Sequence, residues 1–250
     1  MLTAERQRVI LEELSRYGIV HLHSLVQKTN SSESTVRRDL AFLEGEGLLR
    51  RIHGGATLPY SKVEEPNMED KTAKNRQDKQ KIAEKAARYI QDGDCIYLDA
   101  GSTVAEMLPH IKGKRVVVVT NGLMHIGALT DAKIPTYLIG GRIKGNTKAV
   151  VGSVALENIK QYRFDKSFLG MNGVSLKNGF TTPDPEEAVM KKAAMELSET
   201  TYVLADKTKF RETFFAKVAE IEEATIITST LDQELQKAFE LKTNLKVVTT

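Results

Sequence analysis

The 250-residue chain contains one cysteine, Cys95, and no tryptophan. A single cysteine excludes an intrachain disulfide, so the cysteine count does not imply an oxidising compartment. Cys95 lies in the apolar run CIYLDA, and we expect it to be a small buried side chain, because free cysteine is among the residue types most often buried.

The chain also lacks a long hydrophobic run. Its first residues, MLTAERQRVILEEL, mix acids with apolar residues and are not a signal peptide. No apolar stretch approaches the ~18 residues of a membrane span. We therefore expect a soluble, cytoplasmic protein with no membrane partner. No pattern in the sequence indicates a metal or another cofactor.

A strong charge imbalance is absent too, since the formal net charge is only +3. Any case for nucleic-acid binding must therefore rest on local arrangement. Residues 1–58 have the pattern of helices followed by a hairpin. Residues 59–74, PYSKVEEPNMEDKTAK, contain two prolines and many charges, which is typical of a linker. Residues 75–250 form the second predicted domain.

The first domain has three predicted helices. Residues 3–17 form the first, with Thr3 as a plausible N-cap and Gly18 as its end. Residues 22–28 form the second. The third begins after the N-cap Ser32 and buries Val36, Leu40 and Leu43, which fall at helical spacing on one face.

The third helix and the hairpin after it have the features of a winged DNA-binding domain, in which the hairpin is the wing. A helix-turn-helix contacts base edges through the N-terminal end of its second helix, where Ser34, Thr35, Arg37 and Arg38 lie. Residues 48–52 predict a strand, Gly54 and Gly55 a tight turn, and residues 56–58 the return strand. Arg50, Arg51 and His53 on this hairpin can reach phosphates or the minor groove. The alternative is that these arginines are ordinary solvated charges, because seven acids also lie in the first 60 residues.

The second domain alternates apolar strands with amphipathic helices, such as those predicted at 103–110 and 186–197. This order predicts βαβ units around a largely parallel sheet that is covered on both faces. The predicted strands are CIYLDA, RVVVVTN, PTYLIGG, FDKSFLG, TYVLAD, ATIITS and LKVVTT.

Polar residues follow four of these strands, at the carboxyl ends where parallel sheets bind ligands. A Gly-Ser-Thr turn that opens a helix suits a phosphate, and two glycines in a long loop allow close approach of the backbone to a ligand. Together they predict one rim for a small, anionic, polyhydroxylated ligand. The candidates are Asp99, Gly101, Ser102 and Thr103; Thr120 and Asn121; Gly140, Gly141, Arg142 and Lys144; and Asp206 and Lys209.

Residues 34–56, STVRRDLAFLEGEGLLRRIHGGA, closely resemble the signature of the DeoR family of bacterial sugar-metabolism repressors, and the similarity covers almost the whole chain. The resemblance implies an N-terminal winged helix-turn-helix that binds double-stranded operator DNA as a homo-oligomer, a dimer or tetramer. The DNA contacts would come from Ser34, Thr35, Arg37, Arg38, Arg50, Arg51, His53 and Gly54.

The second domain resembles the DeoR sensor domain, which is similar in fold to ribose-5-phosphate isomerase. This implies an α/β sensor whose phosphosugar site includes Gly152 besides the strand-end residues at Asp99, Gly101, Ser102, Thr103, Thr120, Asn121, Asp206 and Lys209. Where the isomerases carry Gly-Ala-Asp, residues 170–172 read Gly-Met-Asn. An amide cannot act as a general base, so we expect no enzyme activity.

The leading hypothesis is a repressor that a phosphorylated sugar releases from its operator. The chain looks closest to the fructose-operon branch, which implies fructose 1-phosphate, while tagatose 6-phosphate stays open. The sequence does not decide whether the effector releases or strengthens DNA binding. The alternative is an isomerase-like enzyme with an N-terminal assembly domain, in which Asp99, Asp165 or Asp184 would serve the chemistry.

Overall fold

The computed structural model describes residues 2–52, 54–58, 65 and 67–248. The chain divides into two compact units, Met1–Ser61 and Lys62–Thr250. Residues 67–74 belong to the second unit, although their composition predicts a linker. Within the described residues, no helix is long and apolar enough to cross a membrane, and no cluster of His, Cys, Asp and Glu could hold a metal ion.

The N-terminal unit consists of three helices and a three-stranded antiparallel sheet. In chain order its elements are α1 (Thr3–Tyr17), β1 (Ile19–His21), α2 (Leu22–Thr29), α3 (Glu33–Gly45), β2 (Arg50–Ile52) and β3 (Gly55–Thr57). The strand order is β1-β3-β2, so the hairpin β2–β3 is joined to the helices through β1. This is the predicted winged helix-turn-helix.

The predicted helix ends of this unit are largely confirmed. Gly18 ends α1 with φ +72°, and the Ser32 hydroxyl accepts a hydrogen bond from the Thr35 amide at the start of α3 (3.3 Å). The prediction of Thr3 as an N-cap is wrong, because the cap is Leu2 and Thr3 is already helical. A buried ion pair between Arg6 and Asp39 joins α1 to α3 beside the apolar core.

The C-terminal unit contains a seven-stranded sheet in which every neighbouring pair is parallel. All seven predicted strands lie in it, in the order β15-β14-β12-β9-β4-β5-β6. Its strands are β4 (Cys95–Leu98), β5 (Val117–Thr120), β6 (Thr136–Leu138), β9 (Phe164–Gly170), β12 (Ser198–Leu204), β14 (Thr225–Ser229) and β15 (Leu245–Val248). Cys95 is only partly buried, because it is the first residue of β4.

Helices cover both faces of this sheet, as the continuous apolar strands predict. Along β4, Ile96 and Leu98 pack into one core and Tyr97 into the other. The helices are α4 (Met68–Ala73), α5 (Arg76–Ala87), α6 (Ser102–Ala105), α7 (Leu108–Ile111), α8 (Ile126–Asp131), α9 (Ser153–Ile159), α10 (Pro185–Glu196) and α11 (Gln233–Glu240).

Two small sheets and one broken helix were not predicted. One is the antiparallel pair of β7 (Arg142–Ile143) and β8 (Val150–Val151), and the other consists of β10 (Gly173–Ser175), β11 (Gly179–Thr182) and β13 (Ala216–Ala219). In sequence, these short strands lie between the strands of the main sheet. The single helix predicted at 103–110 is two short helices, α6 and α7. Pro109 has no N–H to donate and would clash with the preceding turn, so a new helix begins around it.

Candidate DNA-binding surface and effector site

One face of α3 is buried and the other displays the predicted DNA contacts. Ser34, Arg37 and Arg38 are exposed, and Thr35 is half-buried near the capped end. Arg37 pairs with Glu33 one turn earlier (2.6 Å), and Arg38 donates to the Ser34 carbonyl (3.4 Å). An exposed pair of this spacing stabilises a helix by only about 0.3–0.5 kcal/mol, so a DNA phosphate or base edge can displace it.

The wing is the hairpin β2–β3. Arg51 is exposed and Arg50 is half-buried, and Gly54 at the turn has φ +77°. Arg51 contacts Glu44 of α3 through both its amide (2.8 Å) and its guanidinium (2.6 Å). Partial burial opposes the charge on Glu44, but the hydrogen bonds from Arg51 outweigh it and lower the pKa of Glu44. His53, the remaining predicted wing contact, lies outside the described residues.

Gly55, which the sequence places in the hairpin turn, has a second role in packing the wing against the rest of the unit. A Cβ on Gly55 would lie 2.0 Å from the main-chain oxygen of Val20 on β1. No side chain fits there, so Gly55 permits the close pairing of β1 with β3. The second glycine of the Gly54-Gly55 pair is therefore required by packing and the first by its left-handed turn.

The candidate effector site lies where the sheet reverses its strand order. From β4 the chain proceeds outward to β5 and β6, then returns to place β9 on the other side of β4. Ligands of open α/β sheets bind at such a switch point, outside the carboxyl ends of the strands. Asp99 follows β4, and its carboxylate accepts a hydrogen bond from the amide of Gly170 at the end of β9 (3.0 Å). Gly101 is also close, since a Cβ there would lie 3.3 Å from the Gly170 Cα.

Two buried charge clusters meet near this point. Lys191 of α10 donates to Asp99 (2.6 Å), and both side chains are almost fully buried. Burial opposes the charged form of Lys191, but Asp99 and Glu187 raise its pKa. One turn earlier on α10, Glu187 accepts from Lys144 (2.8 Å), whose ammonium also contacts Asp184 (2.8 Å). These carboxylates raise the pKa of Lys144 despite its burial.

Glu65 completes the second cluster from outside the sheet. Its carboxylate contacts Lys144 (3.0 Å), Lys71 of α4 and the Asn172 amide (3.2 Å). Only 3% of the Glu65 side chain is exposed. Burial disfavours its charge, but Lys71 and Lys144 together lower the pKa of Glu65. Asn172 therefore donates a hydrogen bond to the Glu65 carboxylate, whereas an aspartate at this position would have supplied a carboxylate itself.

A separate group of lysines surrounds the predicted phosphate cradle. Lys79 of α5 donates to the Ser102 hydroxyl (3.1 Å) and to the main-chain oxygen of Lys71. Burial and the neighbouring Lys209 and Lys71 lower the pKa of Lys79 to about 8, although Asp206 acts in the opposite direction. The carboxylate of Asp206 accepts from Asn75 (3.2 Å). Thr103 is buried beside Ser102.

Other predicted effector residues hold the fold or lie at its rim. The Asn121 side chain accepts from the Ala100 amide (3.1 Å) and donates to the Val150 carbonyl (3.1 Å), while Thr120 donates to the Leu98 carbonyl (2.6 Å). Both side chains are buried, and they position the loop after β4. Gly140, Gly141 and Arg142 are exposed and Gly152 is half-buried, and Arg142 pairs with Glu186.

The structure thus places Asp99 and Lys144 in the two buried charge clusters on α10, and it places Ser102 with Lys79 and Asp206 at the phosphate cradle. Sequence reasoning missed several residues of these groups. Glu187 and Lys191 are spaced i, i+4 on α10, a pattern that normally indicates an exposed helix pair. Only the burial of that helix face distinguishes them. The other missed residues are Glu65, Lys71 and Lys79.

Comparisons with known proteins agree with this two-part architecture. Residues 6–62 match the sequence model of the DeoR-like helix-turn-helix domain, and residues 74–230 match that of the DeoR C terminal sensor domain. The chain is 49% identical over 249 residues to the "Uncharacterized HTH-type transcriptional regulator FruR" of Bacillus subtilis (strain 168), covering 99% of each. It is 36% identical over 211 residues to the lactose phosphotransferase system repressor of Lactococcus lactis subsp. lactis, covering 82% of each.

Among solved structures, ribose 5-phosphate isomerase A from Methanocaldococcus jannaschii matches 54% of this chain and 55% of its own, with 18% identity and a TM-score of 0.41. The two sequence relatives named above are a transcriptional regulator and a repressor, which points to a regulator and not to an enzyme.

Proposed function

The chain belongs to the DeoR family, as a helix-turn-helix transcriptional repressor of a sugar operon, and we propose that a phosphorylated sugar releases it from its operator. We propose a cytoplasmic location, which the match to bacterial transcriptional regulators supports. We also propose that the protein acts as a homo-oligomer, because one winged helix buries a modest area and binds weakly by itself.

The N-terminal unit would place α3 in the major groove. Ser34, Thr35, Arg37 and Arg38 lie at its exposed, capped end, which is the end that contacts base edges in helix-turn-helix proteins. The wing residues Arg50, Arg51, His53 and Gly54 would then lie along the flanking backbone. Such contacts position the protein and do not read sequence.

The observation that carries the effector proposal is the buried Lys79 ammonium against Ser102. Burying this charge near Lys71 and Lys209 is unfavourable, and the pKa of Lys79 is accordingly lowered. A phosphate dianion between Ser102, Thr103, Lys79 and Lys209 would neutralise the repulsion between these two lysines and accept charge-assisted hydrogen bonds. A free sugar offers neither, so the phosphorylated sugar is the expected effector.

Fructose 1-phosphate is the effector that we favour. The similarity of the whole chain to a regulator named FruR supports it, and tagatose 6-phosphate is the second candidate. The sugar would lie between the phosphate cradle and the Asp99–Lys191 pair. The rim at Gly140, Gly141, Arg142 and Gly152 would border the opening, and Thr120 and Asn121 would position the loop that holds the ligand.

The test has two steps on the full-length protein. An operator is first selected from a random-sequence DNA pool, and its affinity is measured by gel shift at fixed salt. Fructose 1-phosphate, tagatose 6-phosphate, free fructose and inorganic phosphate are then added separately. We expect one sugar phosphate to weaken operator binding about 5- to 150-fold, the usual range for linked sites, and free fructose to have little effect. Equal responses to the free sugar would contradict the phosphate assignment.

A further inference from the structure

The segment that precedes α5 consists of Glu65 and α4, and the Glu65 carboxylate is buried against Lys144 of the sensor domain. Glu65 and α4 lie in sequence between the N-terminal unit and the sheet domain, and the chain must pass through them to connect the two. The Asn146 amide donates to the Glu65 carbonyl (3.4 Å), and its carbonyl accepts from the Met68 amide (2.9 Å). Met68 is buried, so the segment is anchored by its main chain, by one apolar side chain and by Glu65.

We infer that Glu65 is a built-in competitor of the effector, occupying the place of the sugar hydroxyls until the ligand displaces it. This inference rests on the proposed function. The position follows from its contacts, because Glu65 shares Lys144 with Glu187, and Glu187 lies one turn from the Lys191 that holds Asp99. Glu65 therefore lies on the same buried network as the strand-end residue at the switch point.

The charge of the cluster indicates what replaces Glu65. In the docked state four carboxylates face three ammonium groups, namely Glu65, Asp99, Asp184 and Glu187 against Lys71, Lys144 and Lys191. Departure of the segment removes Glu65 together with Lys71. Three carboxylates and two lysines remain, so a second anionic group would be repelled. A neutral polyol fits, since its hydroxyls both donate to carboxylates and accept from lysines.

The same departure prepares the phosphate cradle. Lys79 donates to the main-chain oxygen of Lys71, so the docked segment holds this ammonium as well as Lys144. A ligand with a phosphate at Ser102 and hydroxyls toward Lys144 would compete with the segment at both places. It can shift the equilibrium only by its differential affinity for the two states, and the steric exclusion of Glu65 supplies that difference.

Release of the segment would couple the site to DNA. Glu65 and α4 are part of the chain that leads from the winged helix to the sensor. Whether they are docked or free changes the constraint on the DNA-binding unit. Docked Glu65 is then the unliganded, DNA-competent state, and the sugar phosphate favours the free state.

The decisive pair of variants is Glu65→Gln and Glu69→Gln in the full-length protein. Glu69 lies on α4 but is exposed, so it controls for a general change of segment charge. Without ligand, hydrogen exchange of residues 67–74 should be faster in the Glu65 variant and unchanged in the Glu69 variant. By calorimetry, the Glu65 variant should bind fructose 1-phosphate about tenfold more tightly than wild type, and the Glu69 variant equally well.

Wild-type protein gives a second readout that does not depend on a mutation. Saturating fructose 1-phosphate should accelerate exchange in residues 67–74 while it protects residues 99–103. Protection of both segments, or weaker binding by the Glu65 variant, would make Glu65 a ligand contact and overturn the inference. The proposed function would survive that result if the sugar phosphate still releases the operator. If no phosphorylated sugar binds wild type or either variant, both proposals fail.

Discussion

Both the winged helix and the sensor contain basic side chains paired with acids, but the pairs of the two regions differ in burial. Arg37 and Arg51 are exposed and contact Glu33 and Glu44 at the surface. Lys191 is buried with Asp99 and excluded from water. Exposed pairs are weak and open to exchange with an external phosphate, whereas a buried pair is costly to break. Surface pairs therefore keep the arginines available to DNA, while buried pairs hold the sensor in a defined state.

The largest expected effect comes from breaking a buried pair. Lys191→Met leaves the Asp99 carboxylate buried without its ammonium partner. Removing one partner of such a pair typically costs about 3–5 kcal/mol of folding free energy. Lys192→Met is the matched control, because the neighbouring Lys192 is exposed and contacts Glu196 only at 3.9 Å. Urea unfolding followed by circular dichroism measures the free energy of unfolding of both variants. Equal losses in the two would mean that the buried pair stabilises the fold no more than the exposed one.

The next effect tests the phosphate side of the site. Lys209→Ala should weaken fructose 1-phosphate binding about 10- to 150-fold, since a hydrogen bond to a charged group contributes roughly 1.5–3 kcal/mol. Operator affinity without ligand should stay unchanged, giving a repressor that does not respond. Lys207→Ala, on the same turn but exposed, is the control. Release at the same ligand concentration in both variants would place the phosphate elsewhere.

A smaller effect is expected at the base-reading end of α3. If Arg38 makes a bidentate contact with guanine, Arg38→Ala should cost about 1–3 kcal/mol of operator binding and relax the preference at one base pair. Affinities for a panel of single-base operator variants measure this. A uniform loss on specific and random DNA would instead identify Arg38 as a phosphate contact.

The smallest effect concerns the wing. Arg51→Ala should weaken binding to all DNA sequences and reduce the slope of log affinity against log salt by about one unit. Glu44→Gln complements it, because removing the carboxylate frees the Arg51 guanidinium for phosphate and should strengthen binding slightly. An unchanged salt slope in the Arg51 variant would show that this side chain faces solvent in the complex.

The sequence predicts the architecture well because most of it is encoded locally. The run of valines at 116–119 favours a strand by its residue types alone. The Ser32 hydroxyl caps α3 by a hydrogen bond from the Thr35 amide, only three residues away. The buried charges are different. Glu65 lies in a stretch whose polarity is typical of a linker, yet its carboxylate is covered by residues far along the chain, Lys144 and Asn172. Periodicity and composition carry no information on which distant residues pair with each other, so this part of the site could not be predicted.

The lowered pKa of Lys79 should make effector binding depend on pH. Because its pKa is lowered to about 8, roughly half of its population is neutral at pH 8, whereas a bound dianion would restore the charged form. Binding should therefore take up about half a proton at pH 8 and less at pH 7, where Lys79 is already mostly protonated. Calorimetric heats in Tris and in HEPES at each pH would reveal the uptake as a buffer-dependent difference. Lys79→Met should abolish that difference, and a difference that persists would assign the proton to another group.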